Sequence, residues 1–133
     1  STPLYSSAAS DVYKRQELTH AHLKYLAAVR ELSGTHAAVS SAQVAALLGV
    51  SRPSVARMLG VLAQRELVAK ERYGKIVLTP AGEAAARCYQ ARVECLLGRL
   101  PEMGLSLSPE EALCAAGALA AVLPERCFPK QTN

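Results

Sequence analysis

Six cations stand between Ser51 and Lys75: Arg52, Arg57, Arg65, Lys70, Arg72 and Lys75, against only Glu66 and Glu71. That surplus equals the net charge of +4 for the whole chain of 133 residues, so the remainder balances to zero. A cationic field confined to one stretch favours a polyanionic partner. Ser51, Arg52, Ser54 and Arg57 fall at the start of one amphipathic pattern, where hydroxyls and guanidinium groups bind phosphate oxygens or base edges. No Ser–His–acid pattern, phosphate-binding Gly loop or paired carboxylates stand out, so the chain is read as a non-enzyme. The histidines offer little: His20 and His22 are two apart on a helix, and His36 lies in a connector. Cys88 and Cys95 share a helix face at i, i+7, and Cys114 lies on the next helix. Convergence of those three thiols would make a soft-metal or redox site. The plainer reading is small apolar residues in an Ala-rich interface.

The elements that must carry these residues follow from periodicity and caps. Residues 1–17 are polar, Ser-rich and aperiodic, and are expected to be a disordered leader. Ser10–Gln16 also looks like a translated sequencing adaptor, so Lys14 and Arg15 are not taken as a DNA-binding arm. Leu18, Leu23, Leu26, Val29 and Leu32, with Tyr25, form one helical face between a Thr19 cap and a stop at Gly34. Thr35–Val39 is a connector able to pair with a later hairpin. Ser40 or Ser41 starts a second helix, with Val44, Ala45, Leu47 and Leu48 inward and Gly49 ending it in the left-handed region. Val50 is expected to plug the core. Ser51 caps a third helix with Pro53 in its first turn, and Val55, Met58, Leu59 and Leu62 make its buried stripe. Leu67–Glu71 and Lys75–Thr79 alternate as strands around an Arg72-Tyr73-Gly74 turn.

Thr79 and Pro80 begin a long helix whose apolar face is Ala84, Ala85, Cys88, Ala91, Val93, Cys95, Leu96 and Leu100. Ser108-Pro109-Glu110-Glu111 begins another, continuing as ALCAAGALAAVL, apolar all round. A helix without a polar face needs cover on every side, and in so short a chain a second copy is the expected cover. The fold class expected is mainly α: an N-terminal winged helix-turn-helix with a two-stranded β-wing over 18–82, then a helical dimerisation segment over 83–133. Half the residues are hydrophobic but only 5% aromatic, with no Trp, so Ala and Leu carry the burial. The longest apolar run, Ala112–Leu123, is shorter than the ~20 residues a bilayer span needs. No secretory h-region opens the chain, and the four cysteines lack a CxxC pair. A reduced, cytoplasmic protein without membrane partners is expected.

A helix-turn-helix followed by a hairpin, with basic residues on both, is how a winged helix enters duplex DNA. The expected contacts are base-edge readout by Arg52 or Ser54, phosphate contact by Arg57, and wing contacts from Arg72 and Lys75. Ser40, Ser41 and Gln43 are expected to anchor the preceding helix, and Ser51 to sit at the same interface.

Ser40–Gly82 resembles the iron- and manganese-dependent repressors of the diphtheria-toxin-repressor family. The matching runs are V-A-x-L-L-G-V-S-x-P-S-V, R-M-L-x-x-L and E-R-Y-G-K-I-V-L-T-P-A-G, with P-E-R-C near the end. The resemblance implies a dimeric repressor of the two-domain, manganese-regulator type, binding an inverted-repeat operator under Mn²⁺ or Fe²⁺ control. Its ligands do not carry over. The family's positions fall on Lys24 and Ala27 in the first helix, Val93 after the wing (beside Glu94), and Leu113, Ala116 and Gly117 in the last helix. Mn²⁺ and Fe²⁺ need oxygen and imidazole donors, so no metal cofactor is expected. Two other readings remain: a regulator that senses oxidation or soft metals through thiols, and a winged helix serving as a protein-interaction module.

Overall fold

The computed structural model describes residues 18–130; the expected leader at 1–17 lies outside the described residues, as do 131–133. Five α-helices and a hairpin follow in order. They are α1 (His20–Thr35), α2 (Ser41–Leu48), α3 (Arg52–Gln64), β1 (Val68–Lys70), β2 (Ile76–Leu78), α4 (Pro80–Arg99) and α5 (Pro109–Val122).

Each helix starts on a hydroxyl that accepts an otherwise orphaned N–H. Thr19, Ser40, Ser51, Thr79 and Ser108 cap α1 to α5 in turn. The first of these is reciprocal: the Thr19 N–H donates to His22 Nδ1 at 3.0 Å, and the His22 N–H donates to Thr19 Oγ1 at 3.2 Å. His22 is therefore a buried cap residue. Gly49 ends α2 at φ 68°, in the left-handed region that glycine adopts without steric cost. Gly34 does not stop α1. The helix continues to Thr35, and His36 closes it by donating its N–H to the Leu32 carbonyl.

β1 and β2 pair antiparallel with Val68 opposite Leu78 and Lys70 opposite Ile76. Hydrogen bonds from Thr79 to Leu67 and from Glu71 to Lys75 extend the pairing to the limits the alternation predicts. The connector before α2 joins them, as Ile76 donates to the Val39 carbonyl at 2.9 Å. Leu26, Val29, Val44, Val55, Leu59, Leu62 and Ile76 are the fully enclosed centre that fastens α1, α2, α3 and the wing. Two apolar residues expected inside this core are half-open instead. Leu47 and Val50 are 43% and 37% exposed, Val50 because it borders an open groove between α1 and the α2–α3 turn.

A second cluster joins Tyr89, Val93 and Leu100 to Ala116 and Ala120 of α5. Leu23 of α1 packs against both clusters. The inward face of α4 is Gly82, Ala86, Tyr89 and Val93, a 3.6-residue stripe turned away from the predicted one, leaving Ala84 and Cys95 exposed. The division expected between residues 82 and 83 falls inside α4. Its first turn is pinned below the wing: Thr79 Oγ1 donates to the Glu66 carbonyl at 2.7 Å and accepts the Gly82 N–H at 3.1 Å. Arg30 of α1 adds an ion pair to Glu83 at 2.6 Å and a hydrogen bond to Gln90. α5 buries Ala116, Gly117 and Ala120 but leaves Leu113 and Val122 55% and 77% exposed. Among the described residues no single helix is long and apolar enough to cross a membrane.

Two glycines should respond differently to a methyl group. A Cβ at Gly82 would drive into the Leu67 carbonyl, a rigid backbone group, whereas one at Gly117 would meet the Tyr89 hydroxyl at 2.6 Å and the His20 Nε2 at 2.8 Å, the ends of side chains. Urea unfolding should show Gly82→Ala losing at least ~1–3 kcal/mol, and Gly117→Ala losing less.

Candidate nucleic-acid interface

The start of α3 is organised by its cap. The Ser51 hydroxyl accepts the Ser54 N–H at 3.2 Å and donates to the Ser54 hydroxyl at 2.9 Å. Ser54 Oγ in turn accepts from the Arg57 guanidinium at 3.4 Å. The structure thus brings Ser51, Ser54 and Arg57 into one hydrogen-bonded row, and the two hydroxyls already serve the helix end. Arg52 is exposed and makes no hydrogen bond or ion pair among the described residues. Of the four predicted residues of this helix, it has the most freedom to reach an external acceptor.

The helix before the turn has a similar division. Ser40 Oγ accepts the Gln43 N–H at 3.3 Å, and Gln43 Oε1 accepts the Ser40 N–H at 2.9 Å. This leaves the Gln43 amide nitrogen as a donor. Ser41 is half-buried at the first helical position.

At the wing, Arg72, Tyr73 and Gly74 form a single tight turn between the strands. Tyr73 takes φ 63°, an unusual left-handed conformation for a residue with a side chain. Its ring is fully exposed. Arg72 beside it is exposed, while Lys75 is held loosely by Glu71 at 3.9 Å. An exposed phenol flanked by two cations does not follow from strand alternation, which marks these residues only as a turn. The Arg-Tyr-Gly-Lys order is its one visible signal in the sequence.

The positions that hold metal ligands in the resembled family are occupied otherwise. Val93 and Ala116 are buried in the second apolar cluster, and Ala27 packs against it. Leu113 and Lys24 are exposed, and Gly117 is buried against Tyr89 and His20. Burial, and then the Lys24 ammonium, lowers the His20 pKa from its ordinary value. Burial, and then Cys114, raises that of Tyr89. Methyl groups and an ammonium supply no donor for Mn²⁺ or Fe²⁺, so this set does not fit either ion. Nor do the thiols converge. Cys88 and Cys95 border a hollow with Arg92, Arg126 and Phe128, while Cys114 lies by Tyr89. The reason is rotational: α4 turns Tyr89 and Val93 toward α5, which carries Cys88 and Cys95 to a neighbouring face. Among the described residues no three His, Cys, Asp or Glu side chains gather as a metal site.

Comparison with known proteins places this geometry. Residues 17–76 match the sequence profile described as "Iron dependent repressor, N-terminal DNA binding domain". The manganese regulator SloR superposes with a TM-score of 0.69 at 25% identity, over 78% of this chain and 48% of that one. The apo form of the manganese-activated repressor ScaR gives 0.58 at 25% identity, over 77% and 49%. IdeR from T. acidophilum shares the fold, with a TM-score of 0.62 at 23% identity over 78% and 48%. The chain spans about half the length of these solved relatives. No curated protein matches it. Over residues 17–76, a little under half of the chain, the sequence is similar to the N-terminal DNA-binding domain of the iron dependent repressors.

Proposed function

We propose that this protein is a transcriptional repressor that binds an inverted-repeat operator as a homodimer and does so without Mn²⁺ or Fe²⁺ control. The observation that carries the reading is the start of α3: a Ser-capped helix with its apolar back in the core and Arg52 unengaged, within a segment that matches a DNA-binding domain. Arg52 reads base edges in the major groove, since a free guanidinium can donate two hydrogen bonds to guanine. Ser51, Ser54 and Arg57 set the helix against the phosphates, with Ser40, Ser41 and Gln43 anchoring the helix before it. Arg72 and Lys75 hold backbone phosphates at the wing, and Tyr73 packs its ring on the sugars between them.

Dimerisation is supported by apolar surface left open along and before α5. Leu113 near its start and Val122 at its end are exposed, as are Met103, Leu105 and Leu107 before it. Burying that surface in a second copy would remove it from water at about 25 cal/mol per Å². Residues 18–82 then form the DNA-binding head and residues 83–133 the dimerisation segment, with α4 belonging physically to both. The misfit of the family's ligand positions supports metal independence.

The division of labour can be read by titrating duplexes of selected and scrambled sequence. Arg52→Ala should cost about 1–3 kcal/mol on the selected site and little on scrambled DNA, relaxing sequence choice. Arg72→Ala should weaken both alike and flatten the salt dependence, whose slope falls by about 0.9 for each phosphate that the protein no longer neutralises. Uniform losses for both variants would defeat this assignment, and salt-independent or absent binding would favour a protein-interaction module. Duplex affinity should be the same in chelator and in added Mn²⁺, as measured by fluorescence anisotropy; a large gain with Mn²⁺ would restore metal control. In sedimentation equilibrium the protein should be a dimer, and Leu113→Glu with Val122→Glu should make it a monomer with an intact helical circular-dichroism spectrum.

A further inference from the structure

The groove between α1 and the helix-turn-helix shares Ser54 and Arg57 with the DNA reading, which leaves its apolar walls unused. It measures about 570 Å³, within the range of about 300–1,000 Å³ typical of small-molecule sites. Tyr25 of α1 lines one wall, and Val50, Met58 and Val61 line the other. Besides Lys24 and Tyr25, α1 contributes only the methyl of Ala21 to the groove, which leaves it open. Val50 and Val61 consequently keep 37% and 39% of their surface in water.

Two cations also line it, Lys24 from α1 and Arg57 from α3, and among the described residues no carboxylate side chain does. Neither cation has an acidic partner among the described residues; Arg57 bonds only to the Ser54 hydroxyl. An apolar trough with two unneutralised cations is complementary to a molecule with an aliphatic body and one anionic head. A DNA phosphate could take Arg57 but would leave the trough unfilled.

We propose that this groove binds a medium-chain monocarboxylate, its chain along Tyr25, Val50, Met58 and Val61 and its carboxylate between Lys24 and Arg57. Bound there, the carboxylate withdraws Arg57 and the Ser54 hydroxyl from the face of α3, so ligand and duplex exclude one another. The exclusion rests on the proposed DNA reading; the binding itself does not.

The two methionines of the chain provide a test, because Met58 lines the groove and Met103 is exposed on the segment after α4. The protein labelled with ¹³C at its methionine methyls is titrated with sodium decanoate below its micellar concentration. The Met58 resonance should shift saturably while Met103 stays still. Lys24→Gln should weaken decanoate about ten-fold, the effect of removing one charge-assisted hydrogen bond, and 1-decanol should bind weaker by a similar factor. Ala21→Leu, which fills the trough, should abolish the Met58 shift while the spectrum keeps its folded dispersion. No saturable shift, equal binding of decanol, or a shift indifferent to Ala21→Leu would overturn the site. A Met58 signal that moves with protein concentration rather than decanoate would assign the groove to a second copy and likewise overturn it. A second titration follows a fluorescein-labelled mixed-sequence duplex at low salt. Decanoate should release it from the wild-type protein and not from Ala21→Leu. Decanoate binding without release would overturn the exclusion. Failure of the duplex to bind at all would refute the DNA reading and leave the carboxylate site standing.

Discussion

Everything in this molecule leans on α1. One side of it closes the helix-turn-helix core through Leu26 and Val29, and Leu23 packs into the second cluster formed by α4 and α5. Arg30 reinforces the same arrangement with polar contacts to Glu83 and Gln90 of α4. A single helix shared by two small cores makes them mechanically continuous: displacing α1 from either would expose apolar surface in both. The close seat of Gly82 on the Leu67 backbone removes the remaining freedom, since it fixes where α4 leaves the wing.

The polar groups at the start of α3 show how capping shapes a recognition surface. Ser51 and Ser54 are the hydroxyls that any reader of the sequence would aim at DNA, yet their hydrogen bonds stabilise the helix end. What is left unengaged is Arg52. In the proposed reading, specificity falls to the side chain that the local structure does not need, while its neighbours supply position. The wing follows a comparable logic. Its tight turn puts Tyr73 in a strained backbone region and sets the ring wholly in solvent, an arrangement that no contact among the described residues explains.

The second cluster differs from what the resemblance to the metal-dependent repressors implies. Where oxygen and nitrogen donors would converge on a cation, Val93 and Ala116 pack side by side with Ala27 against them. An apolar cluster and a divalent-cation site are alternative uses of the same space, because a buried cation demands donors that a hydrocarbon wall lacks. Leu113, one turn before the buried stretch of α5, and Val122, on the side of the helix away from it, remain exposed.

The sequence by itself determined the local grammar of this protein. The five caps, the left-handed Gly49 and the hairpin with its Arg72-Tyr73-Gly74 turn are each set by a few adjacent residues and were legible as such, as was the ability of the connector before α2 to pair with the hairpin. The basic run from Arg52 to Lys75 and the motifs around it likewise named the DNA-binding domain. Tertiary structure decided what depends on rotation and on distance between helices. The inward face of α4 settled on Tyr89 and Val93, an angle that the small apolar residues spread around the helix did not fix. That one rotation kept Cys88 and Cys95 away from Cys114. In the same way Val50 became a groove wall instead of a core plug, because covering it required a larger residue than Ala21 on a helix far away in sequence. Short-range hydrogen bonds are written in neighbouring residues; which apolar surface is finally covered depends on partners brought together only by the fold.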